Sequence, residues 1–166
     1  YSEKVKTLQK DWIGKSEGVD IKFKVKNLEL AENSVLISPR ARPWAGSVLE
    51  VPVFTTRVDT LFGATYLVLA PEHPIIGRLR LGVRNWNFVE KYIEETKRKT
   101  ERERVSEVKE KTGIELKGIK AINPANDREI PIFVADYVLY HYGTGAIMAV
   151  PAHDSRDWDF AKKYNL

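Results

Sequence analysis

Residues 142–157, Tyr-Gly-Thr-Gly-Ala-Ile-Met-Ala-Val-Pro-Ala-His-Asp-Ser-Arg-Asp, constrain the fold more than any other stretch. Tyr142, Gly143, Thr144 and Gly145 form a turn of hydroxyls and glycines. Ala146 to Val150 is an apolar run of strand length, and Pro151 stops it. Asp154 and Asp157 follow at the N-cap and N3 positions of a helix start. An apolar strand leading straight into acids at a helix N-terminus can form a pocket for a small amphipathic cation. The same acids also suit a helix start that binds nothing. Far upstream, Thr55-Thr56-Arg57-Val58-Asp59-Thr60-Leu61-Phe62-Gly63 packs hydroxyls and one Arg into a short stretch. The two stretches are expected to meet in space and form one site.

The elements between them alternate in type. Val5, Leu8, Trp12 and Ile13 sit near helical spacing over residues 1–13. Val19 to Leu30 reads as a half-buried strand, with Val19, Ile21, Phe23 and Val25 facing inward and a solvated lysine face opposite. Val35–Ile37 and Val48–Phe54 read as further strands, and Ser38–Gly46 as a loop carrying Arg40, Arg42 and Trp44. Ala64–Ala70 is a continuous apolar run, a well-buried strand, and Ile75–Leu81 a short helix. Asn87–Thr112 is expected to be one long charged helix with Phe88, Val89, Tyr92 and Ile93 as its apolar stripe, ended by Gly113. Glu115–Ile122 and Glu129–Val134 form a hairpin, with Pro131 placing its second strand near an edge or a bulge. Trp158, Phe160 and Ala161 supply the apolar positions of a last helix. The fold expected is α+β: a twisted, mainly antiparallel, barrel-like β core with peripheral helices.

At 166 residues the chain suits one domain with a real core. It has no cysteine, hence no disulfide framework and no thiolate chemistry, which fits a reducing, cytoplasmic setting. A net charge of +4 permits a polyanionic partner without demanding one. No apolar run approaches the ~18–20 residues that span a bilayer, so no membrane partner is expected. The sequence starts without Met and stops inside a helical pattern, as a domain excised from a longer protein would.

Several chemistries lack their apparatus. There is no Walker loop, no nucleophile elbow, and Gly143-Thr144-Gly145 lacks the third glycine of a dinucleotide fingerprint. His153, Asp154 and Asp157 could be metal ligands, but neighbouring residues rarely face one ion, so neither metal nor cofactor is expected. What remains is hydroxyls that orient water, an Arg for a carboxylate or phosphate, and an acid for an ammonium group.

Together the two stretches are specific. Thr55 to Tyr66 resembles the threonine-rich signature of the editing domain of leucyl-tRNA synthetase, a class I aminoacyl-tRNA synthetase, and Tyr142 to Asp157 resembles its second signature. Trp12-Ile13-Gly14-Lys15-Ser16-Glu17-Gly18 is similar to the segment entering that domain. The isoleucyl and valyl relatives differ at both places. Two features depart from the family: Val58 stands where it usually has Pro, and the loop at Pro39–Gly46 is longer. The HIGH-type and KMSKS-type motifs of the aminoacylation core are missing, so this piece should not activate amino acids.

The resemblance implies post-transfer editing: hydrolysis of the ester of mischarged tRNA(Leu), sparing Leu-tRNA(Leu), by residues 1–166 as a single domain of a parent synthetase. The partner is the tRNA 3′ acceptor end carrying a noncognate amino acid. Asp157 matches the acid that binds the α-ammonium, and Thr60 the threonine whose bulk blocks the leucine side chain. Met148 and Val150 match the apolar wall, and Tyr142 lines the pocket. Thr55, Thr56 and Arg57 match the segment around the scissile ester and terminal adenosine, and Asp154 is a second acid. Two other readings remain: a non-catalytic module that only docks the acceptor end through Arg40, Arg42 and Trp44, and a metal-dependent hydrolase using His153 and Asp154.

Overall fold

The computed structural model describes residues 3–7, 17–26, 49–105 and 110–166. Its strands are β1 (Val19–Lys26), β2 (Glu50–Thr55), β3 (Tyr66–Leu69), β4 (Gly113–Ile122), β5 (Glu129–Ala135) and β6 (Ala146–Ala149). They form one sheet in the order β2-β1-β4-β5-β3-β6. β3 and β5 pair in parallel, and the other pairings are antiparallel. The helices are α1 (Ile75–Leu79), α2 (Trp86–Lys97), α3 (Glu101–Val105) and α4 (Ser155–Tyr164). The sheet curls until its edge strands β2 and β6 lie near one another. No ladder joins those edges among the described residues, so the sheet approaches a barrel without closing into one.

At β3 both faces of the sheet are covered, which is why this strand reads as an unbroken apolar run: all of Tyr66–Leu69 is buried. Leu67 and Leu69 join the larger core with Phe23, Val51, Val53, Leu116 and Ile132, while Tyr66 and Val68 join a second cluster under α4 with Phe133, Phe160 and Ala161. β1 alternates as expected, Ile21, Phe23 and Val25 inward against exposed Lys22, Lys24 and Lys26. Lys22 and Lys26 pair with Glu50 and Glu129.

Among the described residues the long helix expected over 87–112 is instead two helices, and Gly113 opens β4 rather than ending a helix. Thr100 starts the second through a capping box: its amide donates to Glu103 Oε2 at 2.7 Å, and the Glu103 amide donates back to Thr100 Oγ1 at 3.4 Å. The break lets Lys99 reach Asp136 at 2.8 Å, and the buried Arg104 hold Glu72 and the carbonyls of Asp136 and Val138. Phe88 points outward at 71% exposure, so the stripe of α2 is Val89, Ile93 and Thr96. Trp158 is likewise exposed on α4, where Asp157, Phe160 and Ala161 face inward.

Pro131 sits opposite Lys120, beside a register shift between Glu115 and Lys120, so its strand is internal and faces a bulge in β4 rather than lying at an edge. Gly118 makes the bulge possible: its φ is +106°, and a Cβ there would lie 2.6 Å from the Gly82 carbonyl. Residues 3–7 are helical; the rest of the helix expected over 1–13, the strand at 35–37 and the loop at 38–46 with Arg40, Arg42 and Trp44 lie outside the described residues.

Candidate active site

The first stretch leaves the sheet at the end of β2. The Thr55 hydroxyl accepts the Arg57 amide at 3.0 Å and turns the chain, and a 3-10 helix follows over Val58–Gly63. Within it the buried Thr60 donates its hydroxyl to the Arg57 carbonyl at 2.8 Å, which directs its methyl away from that bond. Thr56, Arg57, Val58 and Asp59 are exposed. Arg57 folds onto Asp59 at 2.8 Å; the hydrogen bond and charge of its guanidinium lower the Asp59 carboxyl and raise the arginine in turn. Asp59 is thus held by an ion pair and does not cap the turn.

The β4–β5 turn fastens this segment from below. Asn123, fully buried, donates to the Leu61 carbonyl at 2.8 Å, and Asn126 donates to that of Phe62 at 3.1 Å. By residue type both asparagines are turn formers. Their second role needs the tertiary fold to appear, since they lie some sixty positions away.

The second stretch begins with exposed Tyr142. Gly143 and Gly145 take positive φ, 61° and 72°, and a Cβ on Gly145 would strike the Tyr140 ring at 2.7 Å. β6 then alternates: Ala146 and Met148 face the larger core, followed by Val150 on the same side, while Ile147 and Ala149 face the cluster under α4. Asp154 is the N-cap of α4, its side chain accepting the amides of Arg156 and Asp157. Its hydrogen bond with Arg156 holds its carboxyl below the usual range.

Asp157, at N3 of the same helix, does something a surface cap would not. Its carboxylate turns inward and accepts the Val150 amide at 2.8 Å. The residue is buried, 7% exposed, and that burial pushes its carboxyl up to about 6. The Val150 carbonyl accepts the amides of His153 and Asp154, so Val150 ties both ends of the Pro151–Asp154 turn.

The stretches converge on Val150. A Cβ on Gly63, the last residue of the 3-10 helix, would lie 3.3 Å from Val150 Cγ1. The Thr65 amide donates to the Ala149 carbonyl at 3.0 Å, β3 pairs with β6, and Gly143 lies against Phe54 of β2. Gly63, three residues after Thr60, and the Asp157 carboxylate thus both reach Val150. Tyr142 and Thr56 are exposed, and Met148 is a core residue on the Val150 face.

Two more residues bear on this region. Tyr66, fully buried on β3, donates its hydroxyl to the Asp157 main-chain carbonyl at 3.0 Å. His73, in the turn before α1, accepts the Ile75 amide at Nδ1; burial holds its pKa down, which keeps it neutral. Among the described residues no group of three His, Cys, Asp or Glu could hold a metal ion. No described helix is long and apolar enough to cross a membrane.

Residues 10–166 match the family described as leucyl-tRNA synthetase, editing domain. The whole chain aligns with the leucine–tRNA ligase of Alkaliphilus oremlandii at 48% identity, covering 18% of that protein, and with that of Roseiflexus castenholzii at 50%, covering 17%. It also aligns at 47% with leucine–tRNA ligase subunit alpha of Aquifex aeolicus, covering 27% of it. Among solved structures, the synthetase in the ternary complex of Agrobacterium radiobacter K84 agnB2 LeuRS, tRNA and LeuAMS superposes with a TM-score of 0.71 at 33% identity, over 99% of this chain and 17% of that one. The chain thus spans about a fifth of the length of the relatives it matches. By its matching model, its identity to these ligases and its fold, the chain belongs to the leucyl-tRNA synthetase editing-domain family.

Proposed function

We propose that this chain is the editing domain of a longer leucyl-tRNA synthetase and hydrolyses the ester of noncognate aminoacyl-tRNA(Leu) after transfer, sparing Leu-tRNA(Leu). The observation that carries the reading is the inward carboxylate of Asp157, buried beside Val150 where the other stretch arrives. A buried acid at a helix start is a poor structural choice and a good receptor for an ammonium group. At pH 7 a carboxyl titrating at about 6 is about nine-tenths ionised, and an arriving cation drives it further. The charge-assisted bond formed is worth about 1.5–3 kcal/mol.

Around that anchor the remaining roles follow. Thr60, fixed by its own hydrogen bond, limits the space for the side chain, and Val150 and Met148 supply the apolar wall. A synthetic pocket separates near-isosteric apolar side chains by only ~1–3 kcal/mol per methylene, so a second, size-excluding site is needed. Thr55, Thr56 and Arg57 flank the ester and terminal adenosine, with Tyr142 at the mouth and Asp154 a secondary acid. Water adds to the ester carbonyl, the bond to the ribose oxygen breaks, and the free amino acid leaves while the tRNA hydroxyl regains its proton. An aminoacyl ester needs no protein nucleophile for this; fixing the water and the ester together supplies the acceleration. The reading places the chain in the cytoplasm, beside the rest of its synthetase and the acceptor end of the tRNA.

The test is release of isoleucine from Ile-tRNA(Leu) by the wild-type chain and by Asp157→Ala. The wild type should deacylate and the variant should not. Equal rates would remove Asp157 from the mechanism, and tight tRNA binding without deacylation would make the domain a docking module.

A further inference from the structure

We infer that Tyr66 is a positioning residue for this site: its hydroxyl, held by β3, sets where the first turn of α4 presents the Asp157 carboxylate. The inference rests on the proposed role of Asp157. Three observations carry it. The Tyr66 hydroxyl donates to the main-chain carbonyl of Asp157 itself, at 3.0 Å. Its ring cannot swing, because it is fully buried, stacked on Phe160 at 5.4 Å and edge-on to Phe133 at 5.9 Å. And the other restraint on Asp157, the Val150 amide on its carboxylate, comes from the end of the neighbouring strand, β6, which is in register with β3 through Tyr66 and Ala149. Backbone and side chain of one acid are thus pinned from adjacent strands, one in each signature stretch.

A carbonyl in the first turn of a helix already has a helical amide four residues on as its partner, so α4 does not need the tyrosine in order to form. Tyr137, its ring 5.6 Å from that of Phe160, brings its own buried hydroxyl against that of Tyr66. Burial pushes the Tyr66 hydroxyl far above its ordinary range, so it remains a donor at any working pH. The charged and titratable groups that bear on Asp157 are Asp154 and Arg156 of its own helix, Tyr66 on β3 and Tyr137 after β5.

Tyr66→Phe deletes the hydroxyl and keeps the ring. Two readouts are taken on wild type and variant: the carbon-13 NMR titration of the Asp157 carboxyl, and kcat and KM for Ile-tRNA(Leu) deacylation. In the variant the freed turn admits water, so the Asp157 midpoint should fall from about 6 toward the ordinary carboxylate range, and kcat/KM should drop about tenfold. An unmoved midpoint overturns the inference whatever the activity. A moved midpoint with unchanged kcat/KM overturns it too, since the hydroxyl would then shape the acid without serving the site. If the midpoint moves while the wild type hydrolyses no ester, the positioning stands and the hydrolase reading falls. Should Tyr66→Phe not fold, 3-fluorotyrosine at position 66 carries the same measurements; its stronger donor should hold the midpoint and the rate at or above wild-type values, and a fall in both would overturn the inference.

Discussion

Replacing Asp157 by Asn should make this protein more stable and abolish its proposed activity. Asn keeps the shape of the side chain, and its carbonyl can still accept the Val150 amide that Asp157 holds at 2.8 Å. What it removes is a buried charge. Burial raises the Asp157 carboxyl from 3.8 to about 6, and that difference corresponds to about 3 kcal/mol once the group is ionised in both states. From this is subtracted about 1 kcal/mol for burying an amide group with imperfect partners, leaving about 2 kcal/mol in favour of Asn. The sign follows from proton binding. Between pH 3.8 and about 6 the unfolded chain has lost this proton and the folded chain keeps it, so wild-type stability falls as pH rises through that window and the penalty is complete above it. Urea unfolding of both proteins at pH 4, 5, 6 and 7.5 should show a gap that opens with pH. At pH 7.5 the midpoint of thermal unfolding should rise by about 4–8 °C in the variant, given ~2–4 °C per kcal/mol for a domain of this size. A variant no more stable than wild type at pH 7.5, or a gap independent of pH, would refute the claim that Asp157 is held ionised at a cost. A residue that costs stability and is required for turnover is the signature of a functional site.

The other expectations are smaller. Thr60→Ala deletes the bond to the Arg57 carbonyl and the bulk beside it; the chain should then hydrolyse Leu-tRNA(Leu), and continued sparing of leucine would mean that Thr60 is not the sieve. Asp154→Ala removes the N-cap of α4 and should cost about 0.5–2 kcal/mol in urea unfolding. Because Arg156 lowers the Asp154 carboxyl, that contribution is present above pH 3.8 and lost as pH falls through the depressed folded value, so the gap should narrow only in strong acid. Deacylation should survive a chelator, since the proposed chemistry uses water, hydroxyls and an ammonium anchor; loss of activity with EDTA and its return with a divalent metal would favour the metal-dependent reading.

Much of the fold was legible because its signals are local. The alternation in β1, the apolar run of β3, the turn-strand-helix order of residues 142–157 and the Asp154 cap each depend on a few neighbouring side chains. The errors came where tertiary contacts override local pattern. The charged run after Asn87 has helical spacing throughout, yet Thr100 and Glu103 restart the helix so that Lys99 and Arg104 can reach Asp136. Phe88 and Trp158 look like core residues by type and face outward. Closure of the sheet could not be read, because it depends on whether β2 and β6 exchange hydrogen bonds, and nothing in either strand encodes that. Within the site, Asp154 and Asp157 look alike in sequence. Only the packing of α4 against β3 and β6 separates them, sending one to the helix amides and the other to Val150. Tyr66 and Asn123 were invisible as site supports for the same reason: each acts on a backbone carbonyl far away in the chain.

The most direct measurement is a deacylation panel: norvalyl-, isoleucyl- and leucyl-tRNA(Leu), each incubated with this chain and with a full-length leucine–tRNA ligase carrying it. Release of norvaline and isoleucine with leucine left in place is the predicted result. Esters that all persist in both proteins, or leucine released as fast as the others, would contradict an ammonium-anchored, size-excluding hydrolytic site at Val150.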